Sequence, residues 1–171
     1  MVFFRVKNVK GFEYAYLVEN KWDSSKSNNR IKGSRQKVKG YVGRIFRLRP
    51  VQELSFLEFL NLTDLENYMN SKETSNIIRD LVSWEIKKHA IEGKGFNINL
   101  ETLELKKGAK NIVFMINEGY LCNITLNKLL EFKPNDDKND GYNFAKSFIE
   151  AGINIPQDVF IKLFEKLTKI Q

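Results

Sequence analysis

The sequence predicts an α+β protein in which an N-terminal three-stranded antiparallel sheet of basic character precedes a mixed α/β body that ends in helices. Three observations carry this prediction: apolar residues alternate with a period of two through much of residues 1–50, they recur at helical spacing after Pro50, and two further helical patterns follow residue 140. We therefore expect a basic β-sheet module over residues 1–50 and an α+β body with C-terminal helices over residues 51–171.

The first two strands have the pattern of a hairpin. Val2, Phe4 and Val6 occupy alternate positions, Gly11 breaks the run, and residues 13–22 are rich in aromatic and β-branched types that suit a pleated surface. The polar stretch DSSKSNN over residues 23–29 then predicts an exposed loop.

Residues 35–49 predict a third strand with a cationic face, because alternate residues of an extended chain point to opposite sides. The odd positions include Arg35, Lys37, Lys39, Tyr41, Arg47 and Arg49. The even positions include the apolar Val38, Val42, Phe46 and Leu48, which we expect to be buried. A helix would not separate the two sets, since Lys37 and Lys39 would diverge by about 200°. Arg44 and Ile45 break the alternation, and the nearby glycines are possible bulge positions.

Helical and strand patterns both occur in the body. Apolar spacing predicts a helix over residues 75–91, and Thr63 with Glu66 has the form of a capping box. The apolar run at residues 112–116 predicts a buried strand, central in a small antiparallel sheet. Helices are expected over residues 126–132 and 142–150, and after Pro156.

Charge is concentrated at one end of the chain. Residues 1–50 contain thirteen Lys or Arg and three acids, a net charge of +10, whereas the remaining residues contain fifteen basic and eighteen acidic side chains, a net charge of −3. Such asymmetry indicates an N-terminal segment that contacts a polyanion. The alternative is a basic surface that serves only solubility.

The sequence favours a cytoplasmic protein without a cofactor. It contains no transmembrane pattern and no signal-peptide pattern, so we expect no membrane association. Its single cysteine, Cys122, cannot form an internal disulfide and is expected to be a small buried hydrophobe. The single histidine, His89, is expected on a helix surface near a C-terminus.

Catalytic patterns are weak. Nothing in the sequence pairs His89 with Cys122 or with a serine as a base and a nucleophile would be paired. No phosphate-binding glycine motif occurs either. Glu101, Glu104 and Glu118 could serve a metal-dependent nuclease, but they suit the solvent face of strands equally well. The acidic stretch at residues 136–140 is read as a solvated loop, and a helix-turn-helix reading of the last two helices is disfavoured because the second begins with Gln157 and Asp158.

The basic sheet is therefore the candidate site. Its cations could neutralise phosphates, and its aromatic residues could stack on unpaired bases. The expected nucleic-acid contacts are Arg5, Lys7, Arg30, Lys32, Arg35, Gln36, Lys37, Lys39, Tyr41, Arg47 and Arg49. Whether Tyr14, Tyr16 and Trp22 form a stacking platform or the buried side of the sheet stays open.

The segments FEYAYLVENKW and SRQKVKGYVGRI carry a resemblance. Residues 4–48 resemble the N-terminal segment of some insertion-sequence transposases and related small prokaryotic proteins, which have a Tyr-rich strand, a basic hairpin and an Arg-Gln, basic, Leu/Val-Gly pattern. In outline they are also similar to the three-stranded arm-binding domains of tyrosine integrases. The resemblance implies nucleic-acid contact through Arg35, Gln36, Lys37 and Lys39. It implies binding without catalysis, because residues 51–171 are too few for a transposase catalytic domain.

The resulting hypothesis is a non-catalytic nucleic-acid-binding protein, with DNA and RNA both open. The first alternative is a protein-interaction or assembly subunit, in which residues 51–171 dock a partner and the basic sheet meets an acidic protein. The second alternative is a small metal-dependent nuclease.

Overall fold

The computed structural model describes residues 2–23, 33–135 and 137–169. These residues form seven strands and six helices. In chain order the elements are β1 (Val2–Val9), β2 (Phe12–Asp23), β3 (Gly33–Arg47), α1 (Phe56–Leu60), α2 (Leu65–Ser71), α3 (Thr74–Lys88), β4 (Asn97–Asn99), β5 (Glu104–Lys107), β6 (Lys110–Ile116), β7 (Gly119–Leu121), α4 (Asn123–Leu130), α5 (Asp140–Ala151) and α6 (Gln157–Lys169). The α+β prediction is confirmed, with three antiparallel strands first and helices last.

One sheet runs through the whole protein, in the order β1-β2-β3-β6-β5-β4, and β7 pairs with β6. β1, β2 and β3 are antiparallel neighbours, as the sequence predicts. β6 is buried and central as expected, but the expectation of a purely antiparallel surrounding is wrong, because β6 runs parallel to β3. A parallel pair needs a long crossover, and the chain between β3 and β6 supplies it with three helices.

The same sheet therefore contains strands from both sides of residue 50, where the spacing of apolar residues changes from a strand pattern to a helical one. Immediately after β3, the backbone N–H of Leu48 donates to the carbonyl of Met115 in β6 at 3.0 Å. Val42 and Ile45 of β3 also share a small apolar cluster with Val113 of β6 and Cys122. The basic strands and the body are thus joined by backbone pairing and by side-chain packing.

The main core lies between the sheet and the helices. Its fully buried members include Leu81 of α3, Phe114 of β6, Phe144 of α5 and Leu163 of α6. Burying side chains of this size contributes about 1.5–3 kcal/mol each relative to exposure. The body is held together mainly by this cluster.

Two irregularities in the β2–β3 pairing change which residues of β3 point to each side of the sheet. The register shifts between Ala15 and Tyr16 and again between Leu17 and Val18, so that β3 has one extra residue at each point. Each extra residue reverses the alternation that follows it. Val38 is consequently 46% exposed, which contradicts its expected burial, whereas Val42 is 5% exposed and its burial is confirmed.

The helices lie close to their expected positions, and their caps differ in detail. α3 matches the helix expected at residues 75–91, although it ends at Lys88. The N-cap of α2 is Asp64, whose side chain accepts from the backbone N–H of Asn67, so the capping-box assignment of Thr63 is wrong. A complete capping box occurs instead at α1, between Ser55 and Glu58.

The C-terminal end of α3 contains a buried polar cluster. His89 is fully buried, which contradicts its expected surface position, and its ring Nδ1 lies 2.8 Å from the carbonyl oxygen of Glu85. Glu85 is also fully buried, and its carboxylate accepts from Lys88 Nζ at 3.1 Å and from the backbone N–H of Asn154 at 3.2 Å. Asn117 Nδ2 donates to the same carboxylate at 3.3 Å. One carboxylate therefore connects α3, the β6–β7 turn and the segment between α5 and α6.

Candidate nucleic-acid interface

The pairing register divides the N-terminal sheet into two faces. Partner residues in adjacent strands point to the same side, so Arg5 shares a side with Tyr16, and Tyr16 shares it with Tyr41. The second side carries Phe4, Leu17 and Ala15, which pack with Ile124 of α4. We call the first side the tyrosine face and define it by six residues, Arg5, Lys7, Tyr14, Tyr16, Tyr41 and Arg44.

The three tyrosine rings of this face form a contiguous group. The Tyr41 ring centroid lies 5.6 Å from that of Tyr16 and 6.2 Å from that of Tyr14. Tyr41 is 53% exposed, while the other two rings are half-buried. Partial burial raises the pKa of the Tyr41 hydroxyl, and the neighbouring Tyr14 and Tyr16 raise it further. The hydroxyl therefore stays neutral at physiological pH and does not repel an anion.

Cationic groups surround the rings. Lys7 Nζ lies 4.7 Å from the centroid of the Tyr16 ring, and the Arg5 guanidinium donates to the Gln36 side-chain oxygen at 3.0 Å. The Arg44 guanidinium lies 3.8 Å from the Phe12 ring centroid. None of the described residues that the register assigns to this face is acidic. Its positive charge is thus held by rings and an amide, and carboxylates do not neutralise it.

A groove of about 680 Å³ opens beside the tyrosine face. We call it the cation groove, and its principal lining residues are Tyr14, Tyr41, Arg44, Phe46, Lys107 and Lys110. It lies where β3 approaches the tip of the β5–β6 hairpin. A side chain at Gly43 would bring Cβ within 2.8 Å of the Asn111 carbonyl oxygen, so glycine permits this close approach of the two backbones.

The hairpin tip contributes two lysines to the cation groove. Lys107 and Lys110 are direct partners in the β5–β6 register, an arrangement of like charges that is destabilising in an isolated sheet. Lys107 Nζ lies 4.9 Å from the Phe96 ring centroid and 5.2 Å from that of Phe46. Within the described part of the chain, neither lysine forms an ion pair with a carboxylate. The groove therefore concentrates positive potential.

Two of the expected phosphate contacts lie on the side of the sheet opposite the tyrosine face, where each forms an ion pair with an acid. Lys39 Nζ lies 2.9 Å from a Glu19 carboxylate oxygen, and Arg47 makes a bidentate contact with Glu13 at 2.5 and 2.9 Å. The hydrogen bond from Lys39 lowers the pKa of Glu19, and the one from Arg47 lowers the pKa of Glu13. Both carboxylates are therefore ionised at neutral pH.

The expectation of one cationic face on β3 holds only in part: Lys37, Lys39 and Arg47 share the second side, but Tyr41 does not, and the buried Val42 and Ile45 interrupt the row of cations. The two bulges place Tyr41 on the tyrosine face, while Lys37 is paired in register with Glu19 on the other side. Arg35 is the register partner of Lys21 on that second side, and Arg49 is exposed beyond the end of β3.

The structure brings four of the expected contact residues together: Arg5, Lys7, Gln36 and Tyr41. Arg30 and Lys32 lie outside the described residues, as does the side chain of Trp22.

Arg44, Lys107 and Lys110 were not among the contacts expected from the sequence. Arg44 could have been noticed in the sequence, because it is the one cation at the even, mostly apolar positions of residues 35–49. The lysines stand in a segment, Lys-Lys-Gly-Ala-Lys, that reads only as a turn. Their proximity to Tyr41 depends on the β3–β6 pairing, which no local pattern predicts.

The carboxylates considered for a nuclease do not form a centre in the structure. Glu101 lies 3.9 Å from Arg79, and Glu104 lies 2.6 Å from Lys106. Within residues 2–23, 33–135 and 137–169, no group of three or more His, Cys, Asp or Glu side chains could hold a metal ion. Asp136 lies outside these ranges. Cys122 is fully buried as expected, and burial raises the pKa of its thiol.

Comparison with known proteins adds no relative. No model of a protein family matches the chain, and neither the curated proteins nor the solved structures include a significant match. Among the described helices, none has the length and apolar character that crossing a membrane requires.

Proposed function

We propose that this protein is a non-catalytic nucleic-acid-binding protein and that the tyrosine face with its cation groove is the binding surface. One observation carries the proposal: a cluster of three tyrosine rings, of which Tyr41 is exposed, adjoins cations whose charge no described carboxylate neutralises. Stacking rings and phosphate-neutralising cations are the two elements that binding of nucleic-acid strands requires.

The arrangement of the cations supports phosphate contact. Arg44 and Lys107 lie over aromatic rings, which restrict the side chains without cancelling their charge. Lys39 and Arg47, in contrast, are already bound to carboxylates, and releasing them would require breaking an ion pair. We therefore assign the phosphate contacts to Arg5, Lys7 and Arg44 ahead of Lys39 and Arg47.

The double substitution Arg5→Ala and Lys7→Ala is expected to weaken nucleic-acid binding about tenfold at low salt. Each phosphate contact that is lost reduces the slope of log affinity against log salt by about 0.7–0.9, so the slope should fall by about 1.5. Fluorescence anisotropy with a labelled mixed-sequence oligonucleotide, titrated at several salt concentrations, measures both quantities. Both side chains are exposed, so the double variant should retain its fold.

Arg47→Ala is the matched control, because it removes an exposed cation from the same sheet but from the opposite face. It should change the affinity by less than about twofold and the salt slope by less than about 0.3. An unchanged slope in the double variant would contradict the assignment of the tyrosine face. Failure of the wild-type protein to bind single-stranded or duplex probes at low salt would refute the proposed function.

A further inference from the structure

We infer that the cation groove is a subsite for one unpaired nucleotide, with the base stacked on Tyr41 and its phosphate between Arg44, Lys107 and Lys110. The protein would then select single-stranded nucleic acid over duplex. This inference rests on the proposed function and adds to it the class of nucleic acid that is bound.

The groove has the size and chemistry of a small ligand site. Its volume of about 680 Å³ lies within the range of about 300–1,000 Å³ that is usual for such sites. Tyr14, Tyr41 and Phe46 supply aromatic surface, whereas three cations supply charge. None of the described lining residues is acidic, so the ligand that this lining favours is an anion with an aromatic part.

The Lys107–Lys110 pair points to a phosphate as the anion. The two lysines are opposite each other across β5 and β6, and repulsion between them opposes this pairing when the groove contains no anion. A phosphate between them would turn the repulsion into two attractive contacts. Asn111, which also lines the groove, is exposed and offers an amide donor and acceptor for a base edge.

The position of Tyr41 favours an unpaired base. Its ring contacts Tyr14 and Tyr16 and retains 53% exposure, so an added ring would extend an existing aromatic group. The bases of a duplex are stacked on each other and cannot stack on a side chain without being extruded, which costs a few kcal/mol. A base in a single strand is already unpaired, so this cost is much smaller. The groove therefore distinguishes single-stranded from duplex nucleic acid through Tyr41. Arg5 and Lys7 of the tyrosine face, which lie outside the groove, contact phosphates of either form.

The test compares Tyr41→Ala with wild-type protein on four labelled twelve-residue probes: single-stranded DNA, single-stranded RNA and the duplex of each. Wild type should bind at least one single strand about tenfold more tightly than its duplex. Tyr41→Ala should weaken that single-strand binding about tenfold, the loss of one base stack, and change duplex binding less than about twofold. Tyr41→Phe keeps the ring and should retain the single-strand affinity within about twofold.

The outcomes separate the two proposals. Binding of single strand and duplex with equal affinity, or an equal effect of Tyr41→Ala on both, would overturn the inference and leave nucleic-acid binding intact. Absence of binding to all four probes would overturn both. As a second measurement, an oligonucleotide with photoreactive 5-iodouracil should crosslink to Tyr14 or Tyr41, and crosslinks found only on other residues would contradict the subsite.

Discussion

Replacing Gly152 with alanine is expected to destabilise the protein by about 3–5 kcal/mol, because a positive φ and a backbone collision act together. Gly152 is the C-cap of α5, with φ of 76°. A Cβ built there would lie 2.4 Å from the Ile116 carbonyl oxygen and 2.8 Å from Ile116 Cγ1. The oxygen belongs to the central strand β6 and cannot move without disturbing the sheet. Urea denaturation, monitored by circular dichroism, measures the decrease in the free energy of unfolding.

Gly93→Ala is the matched control for this prediction. Gly93 has nearly the same φ, 77°, but a Cβ at this position would meet no atom within 4 Å. Its substitution should cost about 1 kcal/mol through backbone strain alone. Equal effects of the two substitutions would contradict the close approach of α5 to β6.

Removal of the buried carboxylate by Glu85→Ala is expected to cost about 3–5 kcal/mol, since Lys88 and the backbone N–H of Asn154 would lose this acceptor and Asn117 would keep only its bond to the Gly152 carbonyl. The substitution deprives Lys88, Asn117 and the backbone N–H of Asn154 of a shared partner. These groups lie in three separate parts of the chain, so their connection through α3 is lost as well. Thermal and urea unfolding would both measure the decrease in the free energy of unfolding.

Glu85→Gln should cost less than Glu85→Ala, because the amide oxygen can still accept from one of the donors. Glu104→Ala provides an exposed comparison: the Glu104–Lys106 ion pair has a short distance of 2.6 Å, but its carboxylate is 46% exposed. Surface pairs of this kind contribute about 0–1 kcal/mol. A Glu85→Ala variant as stable as Glu104→Ala would disprove the structural role of the buried cluster.

Local patterns in the sequence were sufficient for most elements. The spacing of Ile77, Leu81 and Val82 indicated α3, and the alternation at residues 2–9 indicated β1. These predictions succeed because the period of apolar residues reflects which face of one element is buried. Arg5, Lys7 and Tyr41 were predicted as contacts from residue type and strand periodicity, and the structure places them on one side of the sheet.

The bulges in β3 could not be located from the sequence, although Gly40 and Gly43 marked possible positions. A bulge depends on how β3 aligns with β2, and a shift of one residue exchanges the faces of everything beyond it. For this reason Lys39 lies beside Glu19, and Val38 is exposed. His89 was misplaced for a related reason, since its burial depends on packing around the end of α3 that helical periodicity does not report.

The sequence by itself determined that a basic, tyrosine-containing sheet precedes an acidic α+β body, because composition and period are properties of the chain. Only the tertiary structure decided which cations remain available to a ligand. The parallel pairing of β3 with β6 brings the lysines of the β5–β6 hairpin to Tyr41 and Arg44, more than sixty residues away in sequence. That proximity requires backbone hydrogen bonds between distant strands, and no local pattern specifies them.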